Sequence, residues 1–194
     1  TRHTLAIGTV GDYAAPPANQ IVHDADLVLF IGCHTGDQVT HTWRIPAIDT
    51  PVVQIDIDPL ELGRSYPNTL GLMGDPKVTL VALIDAIGTP KRDRAYAGSA
   101  ARAMTEWRAE CAPRLASNEM PIRPDRLCAE ITAALPADAI LVADTGYSGI
   151  WTSTLIDLNG AGQTYLRAAG SLGWAFPASL GAKCAAPNRK VVCF

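Results

Sequence analysis

The first part of the chain alternates two kinds of hydrophobic pattern. Asp26–Gly32 (DLVLFIG) and Val52–Asp58 (VVQIDID) are short apolar runs bounded by charged residues, glycine or proline, as in buried strands. Asp26–Gly32 is predicted to be a buried central strand. Between such runs, apolar residues return at helical spacing. Strands that alternate with amphipathic helices predict an α/β fold, so residues 1–90 should form a parallel sheet with helices on both faces.

Residues 75–88 carry the strongest helix signals in the chain. Asp75 is placed to cap a helix, Pro76 suits its first position, and Gly88 can close its C-terminus. Apolar residues at helical spacing should form the core face of this helix: Leu80, Leu83, Ile84 and Ile87.

The next segment, 91–121, has a different composition. It is basic and rich in alanine, contains no strand pattern and is interrupted by Pro113 and Pro121. We expect a linker between two domains, with one surface helix around Ala100–Cys111.

A second α/β unit should occupy residues 122–194. A helix opens at Pro124 and is stopped by Pro136, and the strand Ile140–Ala143 follows it. The core face of that helix should carry Leu127, Ile131 and Leu135. After the strand come a glycine loop, a second strand, a glycine-rich turn into a helix, and Lys190–Phe194 (KVVCF), which is typical of a buried strand.

Composition narrows the class of protein. A content of 48% hydrophobic and 18% charged residues is that of a soluble globular chain with a filled core. The formal charge of −3, without a long run of one sign, argues against nucleic acid or an anionic membrane as the partner. No apolar stretch approaches the ~20 residues that span a bilayer.

Five cysteines include no CxxC pair, and their odd number disfavours a disulfide framework or a closed zinc site. Most lie among apolar residues and should be small buried side chains in a reducing compartment. Since the N-terminus also lacks a signal-peptide pattern, we expect a cytoplasmic protein.

Two glycine loops follow strands of the second unit. In Asp144–Gly149, glycines let backbone N–H groups approach an anion, and Thr145 and Ser148 add hydroxyl groups. The loop is therefore either a phosphate cradle or a tight strand-to-helix turn without a ligand. In the second loop, Gly170–Gly173, Leu172 stands between small residues. It either projects from the loop as an apolar post or belongs to the core.

Together, the order and spacing of these loops resemble the thiamine-diphosphate-dependent enzymes of the acetolactate synthase and 2-oxo acid decarboxylase superfamily. That family has a strand ending in Asp-x-Gly, then G-x-x-G-x-x-x-P-A-x-x-G-A, then A-x-P-x-R-x-V-V. This chain has Asp144–Gly146, Gly170–Ala182 and Ala186–Val192 at the matching places.

The resemblance implies a role for each residue of the two loops. Gly146, Tyr147 and Ser148 would line the cofactor diphosphate. Gly170 and Ser171 would approach its aminopyrimidine, and Leu172 would be the apolar post that props the cofactor into its bent form. Acetolactate synthases usually carry Met at the post and benzoylformate decarboxylases carry Leu, so this residue leaves the substrate open.

Residues 1–90 are similar to the middle domain of the same family, which is nucleotide-binding-like. The matching pieces are Gly8–Gly11, Asp26–Gly32, Ile55–Pro59 and Gly74–Lys77. In acetolactate synthases this domain holds FAD in a structural role, whereas some relatives keep the domain without a nucleotide. The resemblance implies an FAD site at Gly32, His34, Asp56, Gly74 and Asp75, with Asp56 accepting ribose hydroxyl groups.

The flavin-facing motif departs from the family. Acetolactate synthases read G-x-R-F-D-D-R-V-T, whereas residues 32–40 read GCHTGDQVT, with His34 and Gln38 in place of both arginines. Charged bidentate contacts to phosphate are lost with those arginines. His34, Asp37 and His41 match no metal-ligand spacing, and loop histidines are usually solvated or hydrogen-bonded.

Two functional parts of the family should lie outside this chain. One is the N-terminal domain with the catalytic glutamate, and the other is the Gly-Asp-Gly motif, whose magnesium ligands would lie beyond Phe194. We therefore expect a fragment that is inactive alone and contains no catalytic residue. It would comprise an incomplete middle domain (1–90), a linker (91–121) and a truncated cofactor domain (122–194).

The resemblance implies a parent enzyme that uses thiamine diphosphate and Mg²⁺. It would decarboxylate a 2-oxo acid such as pyruvate and ligate the acyl unit to a second carbonyl, as acetolactate synthase does. A 2-oxo acid decarboxylase of benzoylformate decarboxylase type is one alternative. A non-catalytic nucleotide-binding fragment is another. A homodimer or homotetramer is expected, with a regulatory subunit as a further partner.

Overall fold

A computed structural model of the chain describes residues 3, 5–89, 95–168 and 170–194. The chain forms two compact units. Of the described residues, those within Val10–Ala100 form one unit, and those within Ala101–Phe194 form the other together with residues 3 and 5–9. Each unit contains a three-stranded parallel sheet, so the predicted α/β fold is confirmed.

The first unit contains five complete helices and strands within its described residues. They are α1 (Pro16–His23), β1 (Val28–Ile31), β2 (Val52–Asp56), β3 (Thr69–Met73) and α2 (Pro76–Ile87). The strand order is β1-β2-β3, with Val28 beside Val52 and Val52 beside Thr69. All three strands therefore end at the same edge of the sheet.

The prediction that Asp26–Gly32 is a buried central strand was wrong. The strand is shorter, lies at the edge of the three-stranded sheet, and exposes Leu29 and Ile31, because only β2 pairs with it in the part of the chain that the structure describes. The central strand is β2. The sequence did not predict β3, whose apolar run is interrupted by Gly71.

Helix α2 begins and ends where the sequence predicted. The Asp75 carboxylate accepts a hydrogen bond from the Val78 N–H at 3.1 Å, and the Gly88 N–H donates to the Ile84 carbonyl. The predicted core face was wrong in part. Leu80 and Leu83 are half-buried, but Ile84 is 65% exposed and Ile87 is also exposed, because the helix packs mainly on β2.

The surface helix predicted around Ala100–Cys111 is longer than expected. Helix α3 spans Ala95–Leu115 and includes Pro113 in its last turn. Residues 91–94 of the predicted linker lie outside the described residues. The domain limits 1–90, 91–121 and 122–194 stay a prediction.

The second unit follows the predicted order of elements. It contains α4 (Pro124–Ala134), β4 (Ile140–Ala143), α5 (Tyr147–Leu155), β5 (Thr164–Arg167), α6 (Ala175–Ala185) and β6 (Val191–Cys193). The strand order is β5-β4-β6, and all four residues of β4 are buried. Strand β6 was predicted to be buried but is only half-buried, with Cys193 exposed, because it lies at the edge of the described sheet.

Alternate residues of β4 face two apolar clusters, as successive residues of a strand must. Leu141 packs with Cys128 and Ile156, and Ile140 and Val142 pack with Ala175. Helices therefore cover both faces of the central strand. This packing fixes the position of the end of β4, and thus of the loop that follows it.

The prediction that most cysteines are buried was wrong in part. Cys111 and Cys128 are buried and Cys33 is half-buried, whereas Cys184 and Cys193 are exposed. All five are free thiols. Within the described ranges, none of the helices has the length and apolar character that crossing a bilayer requires.

Candidate functional site

The carboxyl edge of the second sheet gathers both glycine loops. Asp144 directly follows β4, and its backbone N–H donates to the carbonyl of Phe194, the residue after β6, at 3.1 Å. Arg167, which the sequence analysis did not single out, is the last residue of β5 and lies beside Ala143 in the register.

Helix α5 begins at Tyr147, so the predicted loop Asp144–Gly149 is shorter than expected, and Tyr147 and Ser148 belong to the first helical turn. Gly146 makes the turn with φ of 69°, and a Cβ atom placed there would have no atom within 4 Å beyond its neighbours along the chain. The N-cap residue of this helix, Gly146, has no side chain that could cap it. The first N–H groups of a helix lack partners inside it and attract anions.

Tyr147 and Ser148 differ in their surroundings. The Tyr147 side chain is 73% exposed, and its ring stacks on Trp151 with centroids 5.5 Å apart. The Ser148 hydroxyl donates to the Thr145 carbonyl at 3.0 Å, which closes the turn. Together with Gly146, these residues present backbone and hydroxyl groups at the start of the helix.

The Asp144 carboxylate connects the two loops. Its Oδ1 accepts hydrogen bonds from the N–H groups of Thr145 at 2.9 Å and Gly173 at 3.0 Å, and its Oδ2 accepts one from Ala175 at 2.9 Å. Hydrogen bonds from Ala175, then Thr145 and Gly173, lower the pKa of this carboxyl below its usual value. The sequence indicated Asp144 only as part of a motif and did not predict these contacts.

The second loop is exposed. Gly170 and Gly173 have φ of 90° and 82°, and Leu172 between them is 82% exposed. The alternative that Leu172 belongs to the core is therefore wrong, since its side chain is exposed; its role as an apolar post stays a prediction. Because Thr145 and Gly173 donate to the same Asp144 oxygen, the start of the first loop and the end of the second loop lie together at the sheet edge.

At the carboxyl edge of the first sheet, Gly32, Asp56 and Gly74 mark the ends of β1, β2 and β3. The Gly32 N–H donates to the Ile55 carbonyl at 2.8 Å, and the Gly74 N–H donates to the Asp56 carbonyl at 2.9 Å. Three of the five residues predicted for FAD are thus brought side by side. Asp75 lies next to them, as the cap of α2.

Asp56 is the most informative of these residues. It is 5% exposed, and its Oδ1 accepts from the Asp58 N–H at 3.0 Å, whereas its buried Oδ2 has no hydrogen-bond partner among the described residues. Buried carboxylate oxygens are rarely left without donors, so this atom is an acceptor without an explanation at the end of β2. Asp58 lies beyond the end of β2, and its carboxylate accepts from the Leu60 N–H.

The loop that replaces the flavin-facing motif is held by backbone contacts. The carbonyl of the exposed His34 accepts from the Arg64 guanidinium, and the carbonyl of Gln38 accepts from the Asp12 N–H at 2.8 Å. His41 Nδ1 lies 2.7 Å from the Asp12 carboxylate. No described trio of His, Cys, Asp or Glu side chains is grouped so that it could hold a metal ion.

Gln54 is a residue that the sequence analysis missed. Its side chain is 2% exposed in the middle of β2, donates to the Cys33 carbonyl at 3.1 Å and accepts from the Gly63 N–H at 3.0 Å. The available signal was one amide within the apolar run VVQID. This side chain joins two loops that leave the sheet near the candidate nucleotide site.

Two family models match the chain. Residues 1–83 match the central domain of thiamine pyrophosphate enzymes, and residues 144–194 match the C-terminal domain of the same enzymes, which binds thiamine pyrophosphate. The two matches contain both candidate sites.

Curated relatives point the same way. The chain is 25% identical to a probable acetolactate synthase large subunit of Methanococcus aeolicus, over 98% of this chain and 34% of the relative. The corresponding protein of Methanocaldococcus jannaschii is 28% identical, over 98% and 33%. A probable 2-ketoarginine decarboxylase of Pseudomonas aeruginosa is 34% identical, over 89% and 30%. The chain spans about a third of the length of these relatives.

Proposed function

The chain belongs to the thiamine pyrophosphate enzymes, and from this premise we propose that it is part of an acetolactate synthase-like carboligase. The enzyme decarboxylates a 2-oxo acid, pyruvate in the first instance, and ligates the acyl unit to a second carbonyl. Bound thiamine diphosphate supplies the electron sink for removal of carbon dioxide.

One observation carries the placement of the cofactor. Two helices begin at the carboxyl edge of the second sheet, and their N-termini differ. The first N–H of α6 is bonded to Asp144, whereas the N-cap residue of α5 is Gly146, which has no side chain to accept from the first N–H groups. An anion is therefore expected at α5, where Gly146, Tyr147 and Ser148 bind the diphosphate through backbone N–H and hydroxyl groups.

The second loop serves the other end of the cofactor in this proposal. Gly170 and Ser171 approach the aminopyrimidine, and the exposed Leu172 supports the bent form. Its 82% exposure supports this role, because an apolar side chain outside the core is available to contact a ligand. Magnesium is proposed from the family alone, and we assign it no ligand among the described residues.

A charge at the start of α5 tests the diphosphate site. Ser148→Asp places an anion where the diphosphate should bind, although an acidic residue there favours the helix itself. Thiamine diphosphate titrated into the full-length protein, followed by tryptophan fluorescence, should bind the variant at least about tenfold more weakly. Ser148→Ala, which adds no charge, is the control and should change the Kd much less. Equal affinity of Ser148→Asp and wild type would refute the site.

A second reaction is favoured by two observations. The relative with 34% identity is named a probable 2-ketoarginine decarboxylase, and the apolar post is Leu172, the residue that benzoylformate decarboxylases carry. Simple decarboxylation is therefore the competing proposal. Full-length enzyme with pyruvate decides between them, since acetolactate supports the carboligase and free acetaldehyde without acetolactate supports the decarboxylase.

At the first sheet we propose a nucleotide, FAD in a structural role. The unpartnered Oδ2 of Asp56, with Gly32 and Gly74 beside it, supports the adenosine end of that ligand. Asp75 lies at the same edge. His34 and Gln38 stand where the family has arginines, so the flavin end has less support.

Flavin absorbance of the purified full-length protein, followed by titration with ADP, tests the nucleotide proposal. Absorbance supports FAD, whereas ADP binding to a colourless protein supports an adenine nucleotide without flavin. Asp56→Asn replaces one acceptor oxygen by a donor group and should weaken either ligand about tenfold. Binding of neither ligand would refute the nucleotide site.

The remaining partners are part of the same proposal. The family implies a homodimer or homotetramer, a regulatory subunit and a cytoplasmic location. The five free thiols agree with the cytoplasmic location. Size-exclusion chromatography with light scattering on the full-length protein measures the oligomer.

A further inference from the structure

Among the described residues of the second unit, one carboxylate holds the peptide groups next to two predicted cofactor residues. The Thr145 N–H precedes Gly146, the Gly173 N–H follows Leu172, and both donate to Asp144 Oδ1. The same side chain binds the Ala175 N–H through Oδ2, 31 residues further along the chain. These contacts tie the diphosphate loop to the loop that carries the apolar post.

We propose that Asp144 is a positioning residue that sets the place of Leu172 relative to the diphosphate-binding turn. The proposal rests on the cofactor site described above. Asp144 acts through backbone groups and touches neither the substrate nor the reacting atoms.

The backbone of Asp144 is suited to this task because it is itself fixed. Its N–H donates to the Phe194 carbonyl at 3.1 Å, and the preceding strand is buried on both faces. A side chain that leaves such a strand starts from a rigid point, which is what precise positioning of a flexible loop requires. The loop at Leu172 has glycines on both sides at positive φ, so it needs an outside support.

Asp144 does more than cap a helix. An ordinary cap comes from the residue at the start of the helix, and here that residue is Trp174, whose side chain makes no cap. An aspartate or serine at position 174 would accept from the second or third N–H of the helix and would leave the Ala175 N–H without that bond. A carboxylate from β4 satisfies it and also bonds Thr145 and Gly173, so the choice of a distant residue couples the two loops.

Two variants separate the contacts. Asp144→Asn retains an oxygen for Thr145 and Gly173 but turns an amide NH₂ toward the Ala175 N–H. Asp144→Ala removes all three acceptor contacts. The control is Asp157→Asn, an exposed aspartate of the same unit. Each is made in the full-length protein and compared in amide hydrogen exchange without cofactor, thiamine diphosphate affinity and kcat.

We expect the Ala175 amide to exchange about tenfold faster in Asp144→Asn, and both Ala175 and Gly173 to do so in Asp144→Ala. The Kd for thiamine diphosphate should stay within about threefold, because α5 is intact, while kcat falls about ten- to a hundredfold. The control should match wild type in all three measurements.

Unchanged exchange at Gly173 and Ala175 in the alanine variant would overturn the proposal. Weaker binding of thiamine diphosphate with an unchanged kcat would overturn it as well. Where the alanine variant fails to fold, the asparagine variant decides by the exchange of Ala175. The exchange measurement needs no cofactor. Failure of wild type to bind thiamine diphosphate would therefore refute the proposed function separately from the coupling of the two loops.

Discussion

The side chain of Gln54, at the centre of β2, donates a hydrogen bond of 3.1 Å to the carbonyl of Cys33, in the loop that follows β1. The same amide accepts from the Gly63 N–H, so both of its polar ends are used. A buried side chain with matched partners on two loops holds those loops at fixed distances. This contact therefore stabilises the edge of the sheet where Gly32 and Asp56 lie.

Replacing Gln54 by leucine should destabilise the first unit. The Cys33 carbonyl and the Gly63 N–H would lose their partners, at a cost of about 1–3 kcal/mol in the free energy of unfolding. Urea denaturation measures the change. Gln20→Leu is the control, since Gln20 is exposed on α1 and its change should stay within about 0.5 kcal/mol. A Gln54→Leu protein as stable as wild type would contradict the structural role.

Two aspartates near opposite ends of α2 should have different effects on the free energy of unfolding when each is replaced by alanine. Asp75→Ala removes the acceptor of the Val78 N–H and should destabilise by about 1 kcal/mol. Asp85→Ala removes an exposed negative charge near the C-terminus and should be neutral or slightly stabilising, because that end of the helix carries partial negative charge. Thermal melts of both variants give the comparison. Equal losses would argue against the cap.

Arg189 joins the amino-terminal ends of the second sheet. Its Nε donates to the Asp138 carbonyl at 2.6 Å, and one terminal nitrogen donates to the Gly162 carbonyl at 2.7 Å and the Thr164 hydroxyl at 3.0 Å. Arg189→Lys keeps the charge but loses the planar set of donors, so it should destabilise by about 1–3 kcal/mol.

Arg108→Lys is the control, because it makes the same chemical change at an exposed residue of α3. Denaturation curves of both variants give their free energies of unfolding. The Arg108 variant should match wild type. A similar effect at both positions would show that loss of the guanidinium, and not the contacts of Arg189, is responsible.

The cysteines should differ in reactivity with pH. Burial, and to a lesser degree the charge of Asp125, raises the pKa of the Cys128 thiol to about 11, because both disfavour the thiolate. The thiolate is the reactive form. At pH 8 Cys128 should resist alkylation in the native protein, while the exposed Cys184 and Cys193 react.

Mass spectrometry after iodoacetamide treatment reads each site separately. The protection of Cys128 should disappear in denaturant at the same pH, where the thiol recovers its ordinary pKa. Rapid native labelling of Cys128 would contradict its burial.

Local patterns were sufficient for much of the fold. Asp75, Pro76 and Gly88 define α2 through interactions within one helix, and the structure has the predicted bounds. The strands after the linker could be predicted equally well, since each is a short apolar run between turn residues. The same patterns placed the glycine loops after strands, and the resemblance to the family then assigned cofactor residues within them.

Exposure and long-range contacts could not be read in this way. Ile84 and Leu29 look like core residues in the sequence, yet both are exposed, because burial depends on which surfaces other elements present. The start of α5 was misplaced within a loop because a glycine turn and the first helical turn have the same local composition. The sequence also left open whether Leu172 is buried or exposed, and the structure shows that its side chain is exposed.

The sequence by itself therefore determined the α/β class, most of the order of strands and helices, and the two glycine loops that follow strands of the second unit. These follow from hydrophobic period and from turn chemistry, which act over a few residues. Only the tertiary structure decided that Asp144 meets Gly173 and Ala175, that Gln54 meets Cys33, and that Asp56 keeps an unpartnered buried oxygen. Such contacts join residues up to 31 positions apart, and their partners are chosen by how parallel strands align at a common edge.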